Sequence, residues 1–259
     1  MAVSASNLTS GSSASAGTSF STTSVSPTSD RLILLFVYLR NGSSTNPTVS
    51  SISGNSLTWV KVNSVTYDTT SSTRRSIEVW RALGTATSGA ITITTTESET
   101  GAEWSVDEFS GIDTSGTNGS GAIVQSVTNT GTGTGVNSLT VTLAAFGSSN
   151  NGTYGAFGND TGSDTTTAGT GFTKIGSIAN SNANVNSSSA TEFRNDNDTS
   201  VDITWSTSTS TDRGGIAIEI KAAASSLVKT VNGLAIASVK TINGLSISSI
   251  KNVNGLTNV

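Results

Sequence analysis

Arg31-Leu-Ile-Leu-Leu-Phe-Val-Tyr-Leu-Arg40 is the stretch that decides the fold. Between its two arginines every residue is apolar or aromatic, with no polar position recurring at a period of two or of 3.6. A run of this length and content is what a strand buried on both faces requires, so it predicts the central strand of a sheet. Outward from it the pattern changes to simple alternation. Residues 75–83 place Ile77, Val79 and Leu83 against Trp80 and Ala82, and residues 90–94 alternate without a break. Residues 102–112 turn Trp104 and Val106 one way and Phe109 the other.

Further strands are expected at 18–26, stopped by Pro27, and at 121–129, 138–144, 154–157, 172–178, 190–194, 201–205 and 215–220. Gly54-Asn55 between 48–53 and 57–62 predicts a hairpin from its turn residues. No window combines good helix formers with a sustained helical apolar period. The expectation is an all-β chain: a two-sheet antiparallel sandwich, jelly-roll-like in its strand count, followed by a short repeated β-hairpin tail. Its parts are a flexible N-terminal arm at 1–16, ordered if at all by a neighbour, a sandwich at 17–221, a small-residue linker at 222–227 and a repeat at 228–259.

The repeat has a period of eleven residues. It reads Val228-Lys-Thr-Val-Asn-Gly-Leu-Ala-Ile-Ala-Ser238, then Val239-Lys-Thr-Ile-Asn-Gly-Leu-Ser-Ile-Ser-Ser249, then Ile250-Lys-Asn-Val-Asn-Gly-Leu-Thr-Asn-Val259. Asn232-Gly233, Asn243-Gly244 and Asn254-Gly255 are hairpin turns by composition, because a type I′ turn needs positive φ at both central residues. Nine residues separate successive turns, and a bulge near Ser238 and Ser249 would keep the lysines off the apolar face. The apolar positions Val228, Val231, Leu234, Ile236, Val239, Ile242, Leu245, Ile247, Ile250, Val253 and Leu256 bury little within one repeat. They are therefore expected to pack on the body of the chain or on other copies, which makes the repeat, or else the N-terminal arm, the expected assembly element.

Composition excludes much chemistry. The 259 residues contain no cysteine and no histidine, so there is no disulfide, no thiolate and no imidazole base or zinc ligand. Charged residues make up 12 %, against about 25 % in an average protein. A surface of Ser, Thr, Asn and Gly follows. The net charge is −4 with no basic footprint, so no nucleic-acid partner is expected. The first residues have neither the basic start nor the apolar run of a signal peptide, and 32–39 is far shorter than the roughly 20 residues that span a bilayer. Synthesis in a cytoplasm without membrane association is expected.

Three groups of residues invite a site, each with a plainer explanation beside it. Asn159 to Asp164 and Asn195 to Asp198 gather oxygen ligands as a calcium loop would, but lack EF-hand spacing and are ordinary turn residues. Asp107 with Glu108, Glu97 with Glu99, and Glu78 suggest the paired acids of a glycosidase. Adjacent strand residues point to opposite faces, so these are expected to be solvated surface charge. Trp59, Trp80, Trp104 and Trp205 would make a sugar-stacking platform if exposed, with Trp59 and Trp104 the candidate glycan contacts. Their aliphatic neighbours favour core. No catalytic residue, cofactor or metal is expected.

The ordered words Asp30-Arg31-Leu32-Ile33-Leu34-Leu35-Phe36-Val37, Leu57-Thr58-Trp59, Ile77-Glu78-Val79-Trp80-Arg81-Ala82, Ile91-Thr92-Ile93 and Glu108-Phe109-Ser110-Gly111-Ile112-Asp113 resemble a β-sandwich module of tailed-phage virion proteins. The Asn-Gly-Leu repeats are similar to tails on phage structural proteins. The resemblance implies a structural protein on the virion surface, a capsid decoration, head-fibre or tail-fibre subunit. It further implies self-association, a homotrimer being expected, and a partner such as the major capsid protein. A carbohydrate-binding host-recognition module is the alternative expectation, and a polysaccharide-degrading enzyme a remote one.

Overall fold

The computed structural model describes residues 2–133, 136–206 and 212–224, together with the backbone of six short strands in the tail. Residues 2–222 form one compact unit, and the tail belongs to a second. Among its described residues the first unit contains sixteen strands and a single 3-10 turn, Ser120–Ala122.

Its strands are β1 Ser4–Ser13, β2 Gly17–Ser21, β3 Leu32–Asn41, β4 Val49–Ser53, β5 Val60–Tyr67, β6 Arg74–Ala82, β7 Thr92–Glu99 and β8 Gly101–Ser110. After the 3-10 turn come β9 Ile123–Thr132, β10 Ser138–Thr142, β11 Gly152–Asn159, β12 Thr166–Ala168, β13 Thr173–Asn180, β14 Ser187–Arg194, β15 Ser200–Trp205 and β16 Asp212–Ile220. The first eight make a five-stranded sheet, β1-β8-β3-β6-β5, and a three-stranded sheet, β2-β7-β4. The last eight make β9-β16-β11-β14-β13 and β10-β15-β12. Adding eight to each label of the first half reproduces the second. Every strand pair is antiparallel.

The expected two-sheet antiparallel sandwich is therefore present twice. Three apolar layers separate four sheets. The middle layer holds Leu32, Leu34, Phe36 and Tyr38 of β3 against Tyr154 and Ala156 of β11 and Ile216, Ile218 and Ile220 of β16. The alternate residues Ile33, Leu35, Val37 and Leu39 face the small sheet of their own half with Phe20, Ile52, Ile91 and Ile93. The second small sheet closes with its Val141, Val201, Ile203 and Trp205 over Phe157, Ala190 and Ala217 of the second large sheet. This explains why the opening stretch carries no polar position: β3 has a core on each side, and all of residues 32–39 are at most 1 % exposed.

The two halves meet through their five-stranded sheets in a reciprocal way. β1 packs on β13 as β9 packs on β5, and β8 packs on β14 as β16 packs on β6. Such exchange of roles is the signature of a two-fold contact, here built inside one chain. β5 and β13 also keep related words, Trp59-Val-Lys-Val-Asn-Ser-Val65 and Phe172-Thr-Lys-Ile-Gly-Ser-Ile178. Each carries a bulge just after its lysine, between Lys61 and Asn63 and between Lys174 and Gly176. Lys61 Nζ reaches Thr48 Oγ1 at 3.5 Å and Lys174 Nζ reaches Thr166 Oγ1 at 3.3 Å, a threonine beside or within the fourth strand of each half.

Two expectations are corrected. Residues 1–16 are not a free arm: Ser4–Ser13 is the edge strand β1, paired with β8 from Ser4↔Ser110 to Ser13↔Ala102. Its side chains bury little, but its backbone completes a ladder, and Asn7 Nδ2 donates to Asp107 Oδ1 at 2.8 Å. Nor do the strands around Gly54-Asn55 form a hairpin. β4 pairs with β7 while β5 pairs with β6, so the turn carries the chain from one sheet to the other. Gly54, Asn55 and Ser56 all have positive φ, at 131°, 55° and 56°. The Asn55 amide is tied to Thr87 O at 2.8 Å and Gly89 O at 3.2 Å.

In the tail, Thr230↔Ala235 and Val231↔Leu234 pair across Asn232-Gly233, Thr241↔Ser246 and Ile242↔Leu245 across Asn243-Gly244, and Asn252↔Thr257 and Val253↔Leu256 across Asn254-Gly255. The turns expected at Asn232-Gly233, Asn243-Gly244 and Asn254-Gly255 themselves lie outside the described residues. The nine-residue strands expected between turns, the bulges, and the packing of Val228, Val231, Leu234, Ile236, Val239, Ile242, Leu245, Ile247, Ile250, Val253 and Leu256 lie outside what the structure describes.

Candidate functional site

The chemistry-bearing side chains gather on the seam between the two five-stranded sheets. β8 turns Glu103, Ser105 and Asp107 inward, and β14 answers with Ser187, Ser189 and Thr191, all buried. Ser189 Oγ donates to Glu103 Oε2 at 2.5 Å, and Ser105 Oγ lies 3.4 Å from Thr191 Oγ1. Asp107 accepts from Tyr154 Oη at 3.0 Å, Ser105 Oγ at 3.1 Å and Asn7 Nδ2 at 2.8 Å. Phe109 then stands edge-on to Phe193 and to Tyr154, both at 5.6 Å between ring centroids. Gly176, beside the bulge of β13, permits the approach: a Cβ there would sit 2.2 Å from Ser105 Oγ.

Burial dominates the electrostatics. Loss of solvent pushes Glu103 up to about 8 and Asp107 up to about 6, in each case against hydrogen bonds that favour the charged form. Oε1 of Glu103 has no hydrogen-bond partner among the described residues, which suits a neutral carboxyl better than a carboxylate. Glu192 is likewise pushed by burial to about 8, and Glu99 to about 7. The nearby cation Arg75 is committed elsewhere, to the Asp68 carboxylate and to Tyr38 Oη at 3.0 Å.

The expectation of solvated acids is thus wrong for Asp107, Glu78 and Glu99, whose residues are at most 1 % exposed. Glu78 lies under the small sheet, accepting from Thr48 Oγ1, the Val49 backbone N–H and Trp80 Nε1 and pairing with Lys61 at 2.8 Å. Opposite pointing of Asp107 and Glu108 does hold: Glu108 faces away and accepts from the Thr28 N–H and Oγ1. The acids are sealed in, and neither Glu103 nor Asp107 presents surface to a substrate.

Trp59 and Trp104 are core residues, 8 % and 6 % exposed, packed with Trp80 around the first outer core. Trp205 is fully buried and donates to Ser188 O at 2.8 Å. No stacking platform results. The two Asn/Asp loops serve as turns. Asn159 bonds Asp164 Oδ2 at 3.0 Å and the Ser188 N–H at 2.8 Å, while Asp196 and Asp198 both hold Arg194. Among the described residues no group of three or more acidic, His or Cys side chains is placed to hold a metal.

What sequence reasoning missed is the seam. Its signal was present in the inward positions of 103–107 and 187–191, both polar where an alternating strand in a sandwich should be apolar. At one end of the closed seam lies an open groove of about 280 Å³, between Val3 to Ala5, Gly171, Thr173 and Arg194. The outward faces of the small sheets carry hydroxyl rungs, Ser19↔Thr94↔Ser51 and Ser21↔Thr92↔Ser53 on one and Ser138↔Thr204↔Thr167 on the other. No helix of the described residues is long and apolar enough to cross a membrane. Comparison with protein families, with curated proteins and with solved structures finds no match.

Proposed function

We propose that the chain is a structural protein of a tailed-phage particle surface, in which a rigid double sandwich is carried by an assembling hairpin tail. The observation that carries the reading is the division of labour along the chain. One compact unit buries its polar chemistry and offers neutral hydroxyl rungs outside; the second carries three short antiparallel strand pairs, each flanking an Asn-Gly of the sequence, at a period of eleven. An isolated two-stranded hairpin is marginally stable at best in water, so the repeats are expected to be completed by neighbours. A homotrimer joined through the repeats, set on a partner such as the major capsid protein, supplies those neighbours. The burial of Trp59 and Trp104 removes the support that a glycan-binding reading drew from the tryptophans.

Light scattering on the whole chain and on a chain ending at Ala222 tests the assembly. The whole chain is expected at three times the monomer mass and the shortened one at one; an unchanged mass refutes the role of the tail. Mass spectrometry of gradient-purified particles tests the location, and absence of the chain from them overturns the virion reading.

A further inference from the structure

We infer that the seam is a discriminating interface: the inner sheet of the first half fits that of the second half and rejects a second copy of itself. The two halves share a strand order and a reciprocal contact, so self-pairing of either half is geometrically available to them. The side-chain rows decide against it.

Four rows meet at the seam. β8 offers Glu103, Ser105 and Asp107, and its partner β14 offers Ser187, Ser189 and Thr191. β16 offers Ile216, Ile218 and Ile220, and its partner β6 offers Ile77 and Val79 beyond the internally paired Arg75. As built, acids lie on hydroxyls and isoleucines on aliphatic side chains. Pairing the first half with itself would set β8 on β6, burying Glu103 and Asp107 against Ile77 and Val79 without Ser189, Thr191 or Tyr154. Pairing the second half with itself would set β16 on β14, burying three hydroxyls under three isoleucines. Either error strips buried polar groups of their partners across the seam at both copies of the contact: Glu103 and Ser189 lose each other, Asp107 loses Tyr154 while keeping Asn7 and Ser105, and Thr191 loses Ser105. That is how an interface rejects a near-copy of the right partner.

A loop of half two adds a second lock. Tyr38 Oη donates to Val185 O at 2.8 Å and Thr100 Oγ1 to Asn184 O at 2.9 Å, and Val185 is fully buried in the middle core. The matching loop of half one, between β5 and β6, instead uses Asp68 to hold its own Arg75.

The test keeps the whole chain and opens one bond. A protease site inserted between Thr114 and Ser115, both exposed in the link between halves, divides the chain after folding. Isotopically labelled and unlabelled preparations are cleaved, mixed, partly denatured, returned to native buffer and weighed by native mass spectrometry. The first-half piece carries no tail, so its self-pairing is read directly as a species of twice its mass. Pairs of unlike halves with scrambled labels are expected, at least about 100-fold over first-half homopairs. Homopairs in comparable amount overturn the inference, as do pieces that no longer associate. Glu103→Val with Asp107→Val in the cleaved protein is expected to raise first-half homopairs at least about tenfold; an unchanged ratio refutes the matching of rows. The ratio in the unsubstituted protein decides the question even where that variant folds poorly.

Discussion

The two halves of the double sandwich share a strand order, yet their inner faces are chemically opposed. In the first half the strand next to the edge, β8, turns Glu103, Ser105 and Asp107 to the seam; in the second its counterpart β16 turns Ile216, Ile218 and Ile220. Backbone topology therefore tolerates either kind of row, provided that the facing strand matches it. The fold is set by alternation and turns, whereas the choice of partner is set by which polar groups find donors after burial.

The comparison breaks most visibly if the halves are not energetically equivalent in their outer cores. Leu35→Ala under β2-β7-β4 and Trp205→Ala under β10-β15-β12 each remove a fully buried side chain. Each is expected to cost about 2–5 kcal/mol in urea unfolding of the chain ending at Ala222. Both should shift one common transition, and two separated transitions would show that the halves fold independently.

Acidity sharpens the difference between the rows. Glu103 rises from 4.5 to about 8 on folding, so between those values the folded state holds the extra proton. Its contribution is complete below the unfolded value and is lost as pH rises through about 8. Asp107, Glu99 and Glu192 act in the same direction with folded values of about 6, 7 and 8. Stability measured by urea at pH 5 should exceed that at pH 9, with Glu103 alone contributing on the order of 2–4 kcal/mol. Glu103→Gln should flatten that slope, and an equally steep slope in the variant would remove Glu103 as its source.

Smaller effects follow down the same seam. Tyr154→Phe deletes one of the three donors to Asp107 and is expected to cost about 1–3 kcal/mol, more at high pH than at low. Arg194→Ala, at the open end, breaks pairs with Asp196 and Asp198 that remain partly solvated and should cost less than about 1 kcal/mol. A larger loss there in thermal unfolding would mean that the groove end is also structural.

Most of the strands were legible because alternation survives translation into any sheet. Arg31 to Arg40 announced a doubly covered strand, and the prediction of an all-β sandwich holds on that ground. Duplication was not legible, because the halves keep little beyond the lysine-serine word of β5 and β13, and buried hydroxyls replace aliphatic residues in β14. The hairpin expected at Gly54-Asn55 failed because turn residues report a reversal of φ, not the sheet that the chain enters next. Edge strand β1 escaped notice because it contributes backbone and almost no apolar surface.

The contact at Gly111 has a consequence for engineering. Gly111, at φ 69°, leaves room for the backbone of Ala2, whose oxygen lies 2.3 Å from where a Cβ would be, and the next residue, Ile112, bridges to Ala222. Entry and exit of the double sandwich therefore lie side by side. Such a body can be spliced as a cassette into a single surface loop of a host protein, or reopened elsewhere by circular permutation, without stretching the recipient's backbone.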